Sequence, residues 1–393
     1  MNDKTLVYLD ANKVYPKGGP AAIGYFYLKE KYRREETWFS LLNEPRREDI
    51  PVKKSVSTSS FFNKIKGNVI NLYSMWMLLY GRSKHAVVDL SKYGMVFFHS
   101  TRNMYEIRKD LSNYKGVVLL QSHSPIPYGK ELIDRIPPKL RFLFPNLERR
   151  LEKMDLYAFE RANYIVFPCK EAEEPYQNNW PNYKTICDKQ KDHFRYILTG
   201  IPAAIAKRSK EDVLSELNMP NDSFIISYVG RHNSVKGFDN LKSIAGKVID
   251  NVQNAWVISA GKEEPIKGLQ HPRWIEIGWT NDAHSYIAAS DVFVLPNKET
   301  YFDIVMLEVL SLGKIVVASK TGGNKHFIGK KGIFLYDSEE EAYNILLYIH
   351  SLSDSERRKI GEQNRMLYEE MYTIGKMYDR FKILANDILK GNK

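Results

Sequence analysis

The sequence predicts an α/β protein made of two domains, each built on a parallel sheet. Three observations carry this expectation. The chain has 393 residues, 43% of them hydrophobic, which is enough to bury two ordinary cores. Short apolar runs alternate with helix-period stretches along most of its length. Near residues 202–212 the pattern breaks at Pro202-Ala-Ala-Ile-Ala-Lys-Arg-Ser-Lys210, which reads as a linker, and a second alternating series then begins. An aromatic content of 12% and the scarcity of low-complexity sequence argue against extensive disorder.

In the first half, Leu6-Val-Tyr-Leu9 reads as a buried strand, followed by Gly18-Gly19-Pro20 and a helix over about 21–31. The runs 95–98, 116–120, 164–167 and 196–198 are apolar and bounded by polar residues, as buried parallel strands are. The second half offers strands at 224–229, 255–258, 274–277, 292–295, 315–318 and 333–335. The tail over 354–390 is charged and helix-favouring, and could cross back onto the first domain. The expected boundaries are 1–205, 206–365 and a terminal helix over 366–393.

Residues 60–84 stand apart. Phe61, Ile65, Val69, Leu72, Tyr73, Trp76, Leu79 and Tyr80 recur at helical spacing, with Lys64, Lys66, Arg82 and Lys84 alongside. A helix packed on the sheet would show this stripe. So would an interfacial helix resting on anionic lipid.

The net charge of +11 is unevenly placed. Residues 1–150 hold 26 Lys and Arg against 14 Asp and Glu, while the rest of the chain holds 32 against 33. A basic half suits nucleic acid, an anionic membrane surface or a phosphorylated ligand, and it also suits a generally basic proteome. No nucleic-acid-binding module is recognisable, which argues against the first. Cys169 and Cys187 lack paired spacing and a neighbouring His cluster, so neither a disulfide framework nor a structural zinc site is expected. The N-terminus reads as a strand start rather than a signal peptide. No apolar run reaches the roughly 18 residues that span a bilayer. A cytoplasmic location is expected, with the inner face of the membrane as a candidate docking surface.

Three runs carry chemistry. In Val229-Gly-Arg-His-Asn-Ser-Val-Lys-Gly237 a strand ends, a glycine turns the chain, and Arg231 and Lys236 flank a short loop before a helix. A diphosphate needs compact positive charge and free N–H donors, which such a loop supplies; two solvated basic residues are the plainer alternative. In 295–313, a polar loop with Glu299, Thr300, Phe302, Asp303 and Ile304 leads into a helix that carries Glu308 among Val, Met and Leu. A carboxylate in apolar sequence requires a partner, and ribose hydroxyls would serve; a solvent-facing acid on a half-exposed helix is the alternative. The third run, Ala318-Ser-Lys-Thr-Gly-Gly-Asn324, is again a strand end with a glycine turn. All three lie at the carboxyl ends of strands, where doubly wound sheets bind ligands.

Taken in order, Gly230-Arg231, Lys236-Gly237, Glu308, Ser311-Leu-Gly313 and Thr321-Gly-Gly323 resemble glycosyltransferase family 4. That resemblance implies the GT-B fold, two Rossmann-like domains facing each other across a cleft. It implies a retaining glycosyltransferase that moves a hexose-type sugar from a nucleoside diphosphate, a UDP-sugar being favoured, to a glycan or lipid-linked glycan, as in cell-surface polysaccharide synthesis. Arg231 and Lys236 would bind the donor diphosphate beside Gly230, and Glu308 would hold the ribose. Gly18 and Gly19 would approach the phosphates, and His123, in Leu120-Gln-Ser-His-Ser-Pro125, would lie close to the transferred sugar. Phe302, Asp303 and Ile304 would line the donor site. The family's usual pair is two glutamates eight positions apart. Here Thr300 holds the first position with Glu299 beside it, and Asp303 replaces the usual glycine. No Asp-x-Asp pair occurs, so no metal or other cofactor is expected. The alternative is a non-catalytic GT-B-like partner or scaffold. A dinucleotide oxidoreductase is disfavoured, because Gly18-Gly19 lacks the G-x-G-x-x-G spacing.

Overall fold

A computed structural model describes residues 4–9, 19–45, 47, 61–134 and 136–391. The chain divides into two compact units. The first comprises Met1–Phe167, Tyr176–Ile197 and Tyr378–Lys393, and the second Pro168–Pro175 and Leu198–Met377.

The first unit holds a six-stranded sheet. Its strands are β1 (Thr5–Tyr8), β2 (Phe39–Leu41), β3 (Met95–Phe98), β4 (Val117–Gln121), β5 (Tyr164–Phe167) and β6 (Phe194–Tyr196), in the order β2-β1-β3-β4-β5-β6. Every neighbouring pair is parallel. Every residue of β1, β3 and β4 is buried, as in a parallel sheet covered on both faces. The order reverses direction between β1 and β3. Two edge elements differ from expectation. β2, Phe-Ser-Leu, is too short to leave a pattern, and β6 begins two residues before the predicted 196–198, with Ile197 just past its end still donating its N–H to the Phe167 carbonyl of β5 at 2.9 Å.

The second unit repeats the plan. Strands β7 (Phe224–Val229), β8 (Ala255–Ala260), β9 (Trp274–Gly278), β10 (Val292–Leu295), β11 (Ile315–Ser319) and β12 (Ile333–Tyr336) lie in the order β12-β11-β10-β7-β8-β9, again parallel throughout. The switch point falls between β7 and β10. Helix Phe238–Asn251 and helix Glu339–Ser351 cover one face through Leu241, Val248, Leu346 and Ile349.

The boundaries shift from those expected. Residues 198–205 belong to the second unit rather than ending the first, because they are pinned there. The Ile201 N–H donates to the Tyr372 carbonyl at 2.9 Å, the Tyr368 hydroxyl donates to the Ile201 carbonyl at 2.9 Å, and the Ala204 N–H donates to Ser311 Oγ at 2.9 Å. The tail is two helices rather than one. Asp354–Met371 starts with a capping box between Ser353 and Glu356, and the chain turns at Tyr372 and Thr373 before Ile374–Gly391. Only from Tyr378 onward does the tail join the first unit. There Phe381 packs against Tyr27, Trp38, Phe97 and Phe39 at centroid distances of 4.7, 4.9, 5.2 and 5.8 Å. Lys382 pairs with Glu36 at 2.7 Å, and the Tyr378 hydroxyl donates to the same carboxylate at 2.8 Å.

Residues 60–84 include the helix Phe61–Tyr80, which carries two apolar faces. Met75, Leu78 and Leu79 pack with Tyr105, Leu132, Leu151 and Met154. Val69, Ile70, Tyr73 and Trp76 are exposed, Tyr73 by 65%. The side chains of Phe61, Lys64, Ile65 and Lys66 lie outside the described residues, as does Gly18. Lys84, expected to face an anionic surface, pairs with Glu106 at 3.1 Å. Among the described residues no helix is long and apolar enough to cross a membrane.

Because the Phe381 ring fills an aromatic box, Phe381→Ala leaves a cavity that neighbouring rings cannot close. It is expected to cost about 3–5 kcal/mol in chemical denaturation. A loss below about 1 kcal/mol would show that the terminal helix contributes little to the first unit.

Candidate active site

Three loops meet at the carboxyl ends of β7, β10 and β11. After β7, the chain runs through Gly230 to Gly237, which precedes helix Phe238–Asn251 in the left-handed region at φ 63°. A Cβ on Gly237 would stand 1.7 Å from the Pro296 carbonyl oxygen, so only glycine permits this approach. The Lys298 N–H donates to the Val235 carbonyl at 3.0 Å and ties the loop after β10 to the loop after β7. A Cβ on Gly322, at φ 42°, would stand 2.0 Å from the Thr300 carbonyl oxygen, and the Gly323 N–H donates to that carbonyl at 3.1 Å. The three runs singled out in the sequence are thus one connected surface at the switch point.

The charges in this surface are unequal. Arg231 is exposed, and its guanidinium makes no hydrogen bond or ion pair among the described residues. Lys236 is half-buried and donates to both oxygens of Asp303, at 2.6 and 2.9 Å. The Asn297 amide donates to the same carboxylate. Asp303 therefore does more than fill the place of a glycine: it is the counter-ion of Lys236, set just before the helix Ile304–Ser311. Ile304 is partly exposed at the helix start. The Phe302 ring is buried and stacks on Phe327 at 5.9 Å, so the ring packs the loop from within.

Thr300 is buried, and its hydroxyl has no partner among the described residues. Glu299 beside it is half-buried. Glu308 is half-buried rather than enclosed, and it has a protein partner that the sequence did not reveal. Its Oε1 lies 3.5 Å from His284 Nε2. The hydrogen bond to Glu308 holds the His284 pKa above its usual value of 6.5, against the opposing effect of burial. His284 lies 24 residues earlier in the chain on another helix, Ala283–Ala289, and no local spacing pairs the two.

In the first unit, His123 follows β4 and is half-buried. Its Nε2 lies 2.7 Å from Nδ1 of His99, which follows β3, and the two rings stack at 5.0 Å. Burial lowers both pKa values, that of His99 well below 6.5 and that of His123 to about 4. Gly19 is the first residue of helix Gly19–Arg33. His99 was not singled out in the sequence; it stands at a strand end in the same way as His123, and that placement was the available signal.

Two sets of potential metal-binding side chains also come together from distant sequence, with candidate ligand atoms within 4.8 Å of one another. One is His232, Glu263 and Glu276, and the other Cys169, Glu171 and His326. In the second, folding brings one histidine, His326, beside Cys169, which the sequence spacing does not show. His232 is fully buried, stacks on Phe238 at 3.8 Å and contacts Ser259 Oγ at 3.2 Å, so its ring is a packing element of the loop after β7.

Residues 223–350 match the family model described as glycosyl transferases group 1. The lipopolysaccharide 1,2-N-acetylglucosaminetransferase of Salmonella typhimurium is 25% identical over 204 residues, covering 47% of this chain and 54% of that protein. The chain thus spans about half the length of that curated relative. The sucrose-phosphate synthase of Thermosynechococcus elongatus superimposes with a TM-score of 0.61 at 15% identity, over 99% of this chain and 100% of that one. Anabaena HepE, solved in complex with UDP and glucose, gives 0.60 at 13% identity over 97% and 99%. At these identities the structural likeness establishes the fold. Two Rossmann-like units, each with a six-stranded parallel sheet, define a GT-B protein. Within that class, residues 223–350 of the second unit are similar to the group 1 glycosyl transferases, as the resemblance to glycosyltransferase family 4 implies.

Two predictions follow from the charge pairs. Asp303→Asn removes the counter-ion of Lys236 and keeps an oxygen for Asn297, so calorimetry should show nucleoside diphosphate binding tighter by about threefold to tenfold, the scale of one charge-assisted contact. Weaker binding would mean that the carboxylate itself helps to hold the ligand. For the second pair, His284 has a raised pKa, so the stabilisation it gives is present below about 6.5 and is lost as pH rises through the folded value. In Glu308→Gln the His284 titration, followed by NMR, should move down toward 6.5, and nucleotide binding should weaken. An unmoved titration would separate His284 from Glu308.

Proposed function

We propose that the chain is a retaining hexosyltransferase that takes its sugar from a nucleoside diphosphate, UDP being favoured, and passes it to a glycan or lipid-linked glycan in polysaccharide synthesis. The observation that carries this reading is the convergence of the loop bearing Arg231 and Lys236 with the loop before Glu308 at the switch point of the second sheet. A ligand there would meet one uncompensated guanidinium, one ammonium with a displaceable counter-ion, and backbone N–H groups. The UDP and glucose bound by HepE and the lipopolysaccharide named for the Salmonella relative support the donor and the acceptor class.

The chemistry needs no protein nucleophile. The bond from the anomeric carbon to the diphosphate oxygen breaks, the acceptor oxygen bonds to that carbon on the same face, and the acceptor proton passes to the departing phosphate oxygen. Charge grows on the diphosphate as it leaves, and Arg231 and Lys236 stabilise it most at that moment. This reading requires neither a metal nor another cofactor. His123 would contact the sugar from the first unit, and Gly18 and Gly19 would approach the phosphates.

A scaffold that binds a glycan or a true transferase is the second reading. Two observations favour it: Thr300 stands where the family has its first glutamate, and Asp303 neutralises Lys236. Release of nucleoside diphosphate from UDP-sugars and GDP-sugars separates the two. A transferase should release it with EDTA present and lose about 10²-fold or more in turnover in Arg231→Ala or Lys236→Ala. No release from any donor, with or without added glycan and divalent metal, would leave the scaffold.

The exposed face of helix Phe61–Tyr80 would seat the first unit on an anionic bilayer. Val69, Ile70, Tyr73 and Trp76 present apolar and aromatic surface, and the basic surplus of residues 1–150 adds long-range attraction worth about 1 kcal/mol per cation near the surface. Sedimentation with anionic vesicles should pull the chain down at low salt, and added salt or the triple change of Val69, Tyr73 and Trp76 to Ser should release it. Equal recovery in the supernatant with anionic and neutral vesicles would refute it.

A further inference from the structure

We infer that His99 is a positioning residue: it fixes the His123 ring as the tautomer with its hydrogen on Nδ1, so that a neutral N–H donor stands at the carboxyl edge of the first sheet. The placement comes from the sheet. β3 and β4 are adjacent and parallel, with Phe98 opposite Leu120, so His99 and His123 leave the same edge side by side. His99 cannot turn away. It is 2% exposed, its ring lies 4.4 Å from that of Phe97 and 6.4 Å from that of Tyr27, and its backbone N–H donates to the Tyr8 carbonyl at 3.3 Å.

One hydrogen occupies the 2.7 Å contact between His99 Nδ1 and His123 Nε2, and two arrangements are open. His99 Nε2 decides between them, because it is buried and has no partner among the described residues. If His123 donated, the His99 hydrogen would sit on that orphaned nitrogen, as a buried N–H with nothing to accept it. If His99 donates, the orphan is a bare lone pair, and buried donors are left unpaired less often than acceptors are. His99 Nδ1–H therefore donates to His123 Nε2, and the His123 hydrogen lies on Nδ1. No protein partner takes that hydrogen among the described residues. Burial keeps both rings uncharged, so the donor does not become an imidazolium near neutral pH.

The ligand atom this arrangement fits is an oxygen acceptor, a sugar hydroxyl in the reading of the preceding section, on which this use of the donor rests. The group is uncharged and directional, which suits fixing a hydroxyl more than stabilising a phosphate. His99 itself would touch no substrate.

The test is ring ¹⁵N NMR of the histidine-labelled full chain without ligand. His123 should appear as the Nδ1–H tautomer. His99→Phe keeps a ring in the aromatic pocket but donates nothing, and His123 should then shift toward the Nε2–H form. His99→Asn places an amide N–H near the lost Nδ1 and should restore the original tautomer. In transfer assays His99→Phe should lower kcat by about 10- to 100-fold, as a lost orienting partner does. KM for the donor should change less than about twofold, since the nucleotide is held elsewhere, and His99→Asn should recover most of the loss. Finding His123 as the Nε2–H tautomer in the unaltered chain overturns the proposal without need of any variant. So does an unshifted His123 in a folded His99→Phe chain. The NMR readout needs no substrate, so a correct tautomer in a chain that transfers nothing would refute the transferase reading and leave the positioning intact.

Discussion

The contact of Gly237 with the Pro296 carbonyl sets the geometry on which the candidate site depends. It is a backbone-to-backbone approach at φ 63° with no room for a side chain. Because the chain can come this close, the loops after β7 and β10 share a hydrogen-bonded seam, and Lys236, one residue before Gly237, reaches Asp303. The parallel sheet supplies the starting position, since its switch point puts β7 beside β10 and leaves their carboxyl ends open together. The glycine turn then closes the distance. The close approach of Gly322 to Thr300 adds the loop after β11 by the same device.

The two cations of this site differ in kind. A guanidinium exposed to water and unbonded among the described residues, as that of Arg231 is, keeps its full capacity for a bidentate anion. An ammonium already bonded to a carboxylate must exchange one partner for another, and its net contribution is the difference between the two. Asp303 would thus set how much of Lys236 a diphosphate could use. Glu308 is likewise already paired, with His284, and a ribose hydroxyl would have to share or displace that partner. A diphosphate bound here would exchange the Lys236–Asp303 pair for an external one, which would keep that half-buried charge partnered.

The strands with every residue buried were legible in the sequence because a sheet covered on both faces needs unbroken apolar runs, as in Met95-Val-Phe-Phe98 and Val292-Phe-Val-Leu295. β2 was not, since three residues with a central serine carry no period. The linker was misplaced because its apolar residues, Ile201 among them, pack on the second unit through Tyr368 and Tyr372, some 170 residues away. The loops of the site were legible as strand ends followed by glycine turns. Their internal pairing was not: His284 with Glu308, His99 with His123 and Lys236 with Asp303 are long-range contacts that no local spacing encodes. Helix Phe61–Tyr80 showed its apolar stripe in sequence, but only burial separates the face that packs, with Met75 and Leu79, from the face that stays open, with Tyr73 and Trp76.

The central claim is that the switch point of the second sheet receives a nucleoside diphosphate. Titration calorimetry of UDP and of GDP into the full chain addresses it directly. Saturable one-to-one binding of at least one of them, abolished when Arg231 and Lys236 are both changed to Ala in a chain that remains folded, is the result predicted. Binding that survives the double change, or no binding of either nucleotide up to millimolar concentration, would contradict it.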